Sequence, residues 1–153
     1  MQKLILILIS LNLFGCEVDF STKIKTKNNK IVISTDKAPA AVGPYSQGIL
    51  IDKTLYLAGQ IALDPSTREI VDGGIQEQTE RVMENLGAVL NEAGYDFGDV
   101  VQSQVFISDM KNYRSMNEIY TKYFNEAPPA RAAVETVLFP GALIEIMMIA
   151  QKP

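Results

Sequence analysis

Histidine is absent from the 153 residues, and cysteine occurs once, at Cys16. Without histidine no Ser-His-Asp or Cys-His relay can be assembled. A single cysteine excludes an intrachain disulfide and a thiolate zinc site. No glycine-rich phosphate loop of the P-loop or Rossmann type occurs. Cations are scarce: 14 Lys and Arg stand against 18 Asp and Glu, for a net charge of −4 and a pI near 4.8. The lysines that cluster lie between Lys23 and Lys37. Phosphate neutralisation needs clustered Lys and Arg, so this balance argues against a nucleic-acid partner. Any catalysis must rest on Arg, Lys, Tyr, Glu or Asp, on backbone amides or on bound water.

The apolar run Leu4-Ile5-Leu6-Ile7-Leu8-Ile9 follows one cation, Lys3. It is too short to span a bilayer as a helix. A basic start and a short apolar run are the marks of a secretory signal. The run ends at Leu13-Phe14-Gly15-Cys16, which resembles the cleavage box of bacterial lipoproteins, with Cys16 as the lipidated residue. Residues 1–16 are therefore expected to be a signal peptide and residues 17–30 a polar tether, with the protein held on the periplasmic side of a bacterial envelope. The other reading is a misassigned start and a cytoplasmic protein. Residues 31–153 form one domain, with 47% hydrophobic residues across the whole chain, enough for a core.

Within the domain, Ile31–Ser34, Gly48–Ile51 and Thr54–Ala58 read as strands, with Asp52-Lys53 as a turn. Between the first two, Ala38 to Gly48 carries two prolines and two glycines, an ordered loop that pins Tyr45. Gly59-Gln60 ends the third strand; a glycine there allows close backbone approach to a ligand, or only a bulge. Ile75–Ala93 is a helix, with Ile75, Val82, Met83, Leu86, Val89, Leu90 and Ala93 on one face and Gly94 as its stop. Val100–Ser108 is a strand. Tyr113–Phe124 is a second helix, with Met116, Ile119, Tyr120, Tyr123 and Phe124 inward and Asn117 among them.

Pro128-Pro129-Ala130-Arg131 then brings one guanidinium to a stiff turn, the only cation between Lys122 and Lys152. A fixed arginine there suits bidentate capture of a carboxylate; a solvated residue or a salt bridge is the alternative. Phe139-Pro140-Gly141 turns the chain into Leu143–Ala150, a strand apolar on both faces except at Glu145. A carboxylate there is expensive unless it is paired, with Arg131 as one candidate, or functional. Two helices cannot cover both faces of six strands, so the second face predicts an oligomer.

Gly43-Pro44-Tyr45-Ser46-Gln47, Gly59-Gln60-Ile61, Pro129-Ala130-Arg131 and Ile144-Glu145-Ile146 occur in order. Together, over about residues 33 to 151, they make the chain resemble the reactive-intermediate deaminase (Rid, YjgF) family. The resemblance implies a chorismate-mutase-like α+β fold: a six-stranded sheet with two helices on one face, assembled as a homotrimeric barrel with clefts between subunits. It implies hydrolysis of 2-iminobutanoate or 2-iminopropanoate to 2-oxo acids and ammonia, with neither metal nor organic cofactor. By the same resemblance Arg131 binds the substrate carboxylate and Glu145 activates water. Tyr45 lines the cleft, the Gly59 amide faces the substrate, and Asn117 is a cleft asparagine. Ala133 stands where some members have cysteine. Ala58 stands where many have serine, and Met147 replaces a second glutamate. A non-catalytic member that binds small carboxylates in the same clefts remains the alternative. The endoribonuclease label that the family also carries sits poorly with the acidic pI and missing histidine.

Overall fold

The computed structural model describes residues 29–124 and 126–153. The expected leader, Cys16 and nearly all of the tether lie outside them. Six strands form one mixed sheet: β1 (Ile31–Ile33), β2 (Gly48–Ile51), β3 (Thr54–Ile61), β4 (Val100–Ile107), β5 (Ala130–Glu135) and β6 (Ile144–Gln151), in the spatial order β1-β2-β3-β6-β4-β5. All neighbours are antiparallel except β4 and β5, which run parallel. Two helices, α1 (Ile75–Glu92) and α2 (Tyr113–Tyr120), complete the α+β architecture.

Helix α1 forms because its apolar residues recur at helical spacing. Val82, Met83, Leu86, Val89 and Leu90 are all fully buried, each worth about 2 kcal/mol of transfer free energy. The Glu77 carboxylate accepts from the Gly74 amide at 2.8 Å and so closes the first turn. Gly94, at φ +79°, ends it: its amide donates to the Asn91 carbonyl, and the Tyr95 amide reaches back to the Leu90 carbonyl. Helix α2 is shorter than its periodicity predicts. After Tyr120 the chain tightens into a 3-10 turn, Thr121–Tyr123, and the Thr121 hydroxyl donates to the Asn117 carbonyl at 2.9 Å.

The strand burial alternates strictly along β6. Ile144, Ile146, Met148 and Ala150 are buried beneath the helices, at 1% exposure or less. Glu145, Met147 and Ile149 take the other face. Ladder partners share a face, so Ile49, Tyr56 and Gln102 lie there with Ile149, Gln104 with Met147, and Phe106 and Val134 with Glu145. Tyr56 and Val134 are nearly half exposed on this side, and no element of the described chain covers it. None of the described helices is long and apolar enough to cross a membrane.

Strand β3 departs from the sequence reading. It does not stop at Ala58 but runs to Ile61 through a bulge: Leu57 pairs with Met148, and the next paired residue, Gln60, pairs with Ile146. One extra residue sits on β3, within Ala58-Gly59, opposite Met147. Bulges of this kind bend a strand and re-aim its side chains.

Candidate active site

The bulge sets Gly59 against Glu145. A β-carbon built on Gly59 would lie 2.1 Å from Glu145 Oε1 and 3.0 Å from its carboxyl carbon. The carboxylate therefore occupies the space that any other residue at 59 would fill. Glu145, Gly59, Ala58, Ile61, Tyr45 and Phe139 line one cavity of about 320 Å3. Among the described residues no hydrogen bond or ion pair engages the Glu145 carboxylate, so it is free to meet a ligand or water.

Two buried glutamines fasten the segments that bring Tyr45 and Phe139 to this cavity. Gln47, 3% exposed, donates from Nε2 to the carbonyls of Thr35, Ala38 and Pro39, and its Oε1 accepts from the Thr35 amide. That amide ties down the loop carrying Tyr45. The loop is closed further where the Tyr45 amide donates to the Gly43 carbonyl, and the Val42 amide donates to Tyr45 Oη at 3.3 Å. At the opposite wall the Ala142 amide donates to the Phe139 carbonyl. Pro140 is second in this turn and Gly141, at φ +86°, third, the order a type II turn requires. Gln78 of α1, also 3% exposed, fastens it by donating to the Gly141 carbonyl and accepting from the Leu143 amide. Neither glutamine nor Phe139 stands out in the sequence as a site residue. Gln78 could have been found, since it falls on the buried face of a helix of clear period.

Arg131 lies elsewhere. It pairs with Ser103, which pairs with Met148, so its side chain takes the helix-covered face of edge strand β5. Its guanidinium stacks over the Tyr120 ring at 4.6 Å and the Tyr113 ring at 5.6 Å, and Nη2 donates to Tyr113 Oη at 2.9 Å. Tyr113, Asn117 and Tyr120 recur at i, i+4 and i+7, one stripe of α2, which places Asn117 between the two rings. Ala133 shares the Arg131 face and packs against the core.

Beneath the guanidinium, Tyr120 Oη and Ser103 Oγ are both buried without a partner of proper hydrogen-bond geometry. Burial pushes the Tyr120 phenol pKa up, and nearby Ser103 and Arg131 only partly offset this. The ring under Arg131 therefore stays neutral, and the positive charge is left for an anion. The sequence alone does not mark the two tyrosines, because their role depends on which way α2 is rotated.

The named residues thus form two groups. Tyr45, Gly59 and Glu145 meet around the cavity; Arg131, Asn117 and Ala133 meet on the other face. A pairing of Glu145 with Arg131 inside one chain does not occur. Glu145 shares a ladder row with Phe106 and Val134, and Val134 is an odd number of residues from Arg131. Among the described residues no cluster of three or more Asp, Glu, Cys or His side chains is arranged to hold a metal.

A six-stranded mixed sheet with two helices on one face, and an acid of one strand set against a glycine bulge of the next, defines a recognisable class. The model of the family described as endoribonuclease L-PSP matches residues 35–152, and the chain belongs to that family, the Rid/YjgF group. A RutC family protein of Saccharolobus solfataricus is 52% identical over 124 residues, covering 80% of this chain and 98% of its own. The mouse 2-iminobutanoate/2-iminopropanoate deaminase is 48% identical over 120 residues, covering 78% of this chain and 89% of its own. The crystal structure of Escherichia coli TdcF with bound serine is 33% identical and superposes with a TM-score of 0.76, over 80% of this chain and 98% of that one.

Proposed function

We propose that this chain hydrolyses 2-iminobutanoate and 2-iminopropanoate to the 2-oxo acids and ammonia, as a homotrimer whose clefts lie between protomers. The observation that carries the chemistry is the unpartnered Glu145 carboxylate, held over Gly59 in a cavity with no other charged wall. The similarity to the mouse deaminase supports the substrate, and the bound serine of TdcF supports a cleft suited to small amino-acid-like ligands. The exposed apolar face of the sheet supports the assembly, which would bring Arg131 of one protomer to Glu145 of its neighbour.

In this arrangement the planar fork of Arg131 holds the substrate carboxylate by two parallel bonds, and Tyr113 and Tyr120 keep the fork in place. Carbon 2 then lies in a fixed position. Glu145 takes a proton from water as the water oxygen bonds to carbon 2 and the C=N electron pair moves to nitrogen. The proton is passed to the nitrogen, giving a carbinolamine; the hydroxyl proton then moves through Glu145 to the amine as the C–N bond breaks, so that ammonia leaves and the carbonyl forms. No net proton is gained or lost by Glu145. The imine hydrolyses slowly unaided, so positioning and one acid-base group suffice.

The test is ammonia release from freshly generated 2-iminobutanoate. Glu145→Gln should retain binding of 2-oxobutanoate and lose about 100-fold or more in imine turnover. Native turnover by that variant would make the chain a non-catalytic carboxylate binder.

For the segment before the domain, we propose lipidation at Cys16 and attachment to the envelope, supported by the Leu13-Phe14-Gly15-Cys16 box and the polar residues after it. Cys16→Ala should leave an unlipidated precursor in cell fractions. Native protein wholly in the cytosol and beginning near Ile31 would overturn this.

A further inference from the structure

We propose that the Glu145 cavity is a side-chain pocket selecting imino acids with bulky apolar side chains, and that Phe139 is the residue that sets this preference. The inference rests on the imine-hydrolase reading above and extends it to the substrate's side chain.

Apart from Glu145 and the Tyr45 hydroxyl, the side chains of the lining are apolar. Tyr45 and Phe139 supply aromatic surface and Ile61 a branched chain, while Ala58 offers a methyl group and no hydrogen-bonding side chain. Among the side chains of these walls a polar group on the substrate would find only the Tyr45 hydroxyl, which already accepts from the Val42 amide, and the Glu145 carboxylate needed for catalysis, whereas an apolar group needs no partner. The volume, about 320 Å3, lies within the range of roughly 300–1,000 Å3 typical of small-molecule sites. The ethyl group of 2-iminobutanoate leaves much of that space unfilled. An isobutyl or benzyl group would fill more of it and remove more apolar surface from water.

The walls are also held in place, which makes selection by shape possible. Within one protomer Phe139 is 63% exposed, so burial against its own chain does not fix it. It is positioned through its backbone, by the Pro140-Gly141 turn and the Gln78 clamp. An exposed aromatic ring on a fastened turn gains its burial when a ligand covers it. Tyr45, 48% exposed on its own fastened loop, stands in the same relation to the cavity. A pocket that does not need to reorganise expresses the difference between side chains in affinity and rate.

The experiment compares kcat/KM for the imines of L-leucine, L-phenylalanine and L-2-aminobutyrate, generated in place by an L-amino-acid oxidase. The leucine imine should exceed 2-iminobutanoate by about tenfold or more. Phe139→Ala should bring that ratio to about one, and Phe139→Leu should keep part of it. In parallel, calorimetry should find the 2-oxo acid of leucine bound more tightly than 2-oxobutanoate, with Phe139→Ala removing the difference.

Turnover of small imines with no preference for large ones, or a preference that Phe139→Ala leaves intact, overturns the proposal. If no imine at all is hydrolysed, the imine-hydrolase reading fails, and the calorimetric comparison alone decides on the pocket. If Phe139→Ala does not fold, the Phe139→Leu ratio decides in its place.

Discussion

Gly59→Ala should retain the fold and lose imine hydrolysis by about 100-fold or more. The added methyl would fall 2.1 Å from Glu145 Oε1, where no real β-carbon contact exists, and 3.2 Å from its Cγ. One of the two must move. The backbone at 59 is held by ladder pairs on both sides of the bulge, at Leu57 and Gln60. The Glu145 side chain has rotatable bonds and no partner among the described residues. The carboxylate will therefore swing away, at small cost in stability, since Gly59 is not in the left-handed region and alanine can adopt its backbone. Catalysis has no such tolerance, because a displacement of about 1 Å in a positioned group costs roughly 100-fold in rate. The measurement is paired: a thermal melt that shifts little, and ammonia release that collapses. Near-native turnover by Gly59→Ala would show that Glu145 does not act from the position described.

The elements of the fold were legible because each rests on a local signal. Helix α1 has an unbroken apolar period and a glycine stop, and Leu143–Ala150 has β-rich composition bounded by a Pro-Gly turn. The bulge at Ala58-Gly59 had only a glycine to announce it, and a glycine at a strand end looks the same. What distinguishes them is the register with β6, a contact across nearly ninety positions of sequence. The separation of Arg131 from Glu145 was hidden for the same reason. Strand alternation tells which residues of one strand share a face, but not which face of a neighbouring strand they join. The glutamines that fasten the cavity carry no such signal, because an amide reads as surface and only burial with matched partners reveals a clamp. Arg131 and Glu145 stood out because each is a lone charge in an apolar stretch, where charge is expensive.

That separation leads to the sharpest expected result. If Arg131 and Glu145 act in one cleft, the cleft must join the helix-side edge of one protomer to the open sheet face of another. Arg131→Ala alone and Glu145→Gln alone should each abolish most turnover, the first by losing the carboxylate anchor and the second by losing the base. Co-expressed, they should form mixed trimers. A cleft that takes its arginine from a Glu145→Gln protomer and its glutamate from an Arg131→Ala protomer is intact. With random assembly about a quarter of the clefts meet both conditions, so about a quarter of native activity should return. Tyr113 and Tyr120 still hold the arginine in the first protomer, and Gly59 and Tyr45 still frame the acid in the second, so nothing else in the restored cleft has changed. Solution mass of the mixture should correspond to three copies of the chain. Mixed trimers with no recovered activity would mean that Arg131 and Glu145 do not share a cleft across protomers. A stable monomer would remove the second protomer that the mechanism requires.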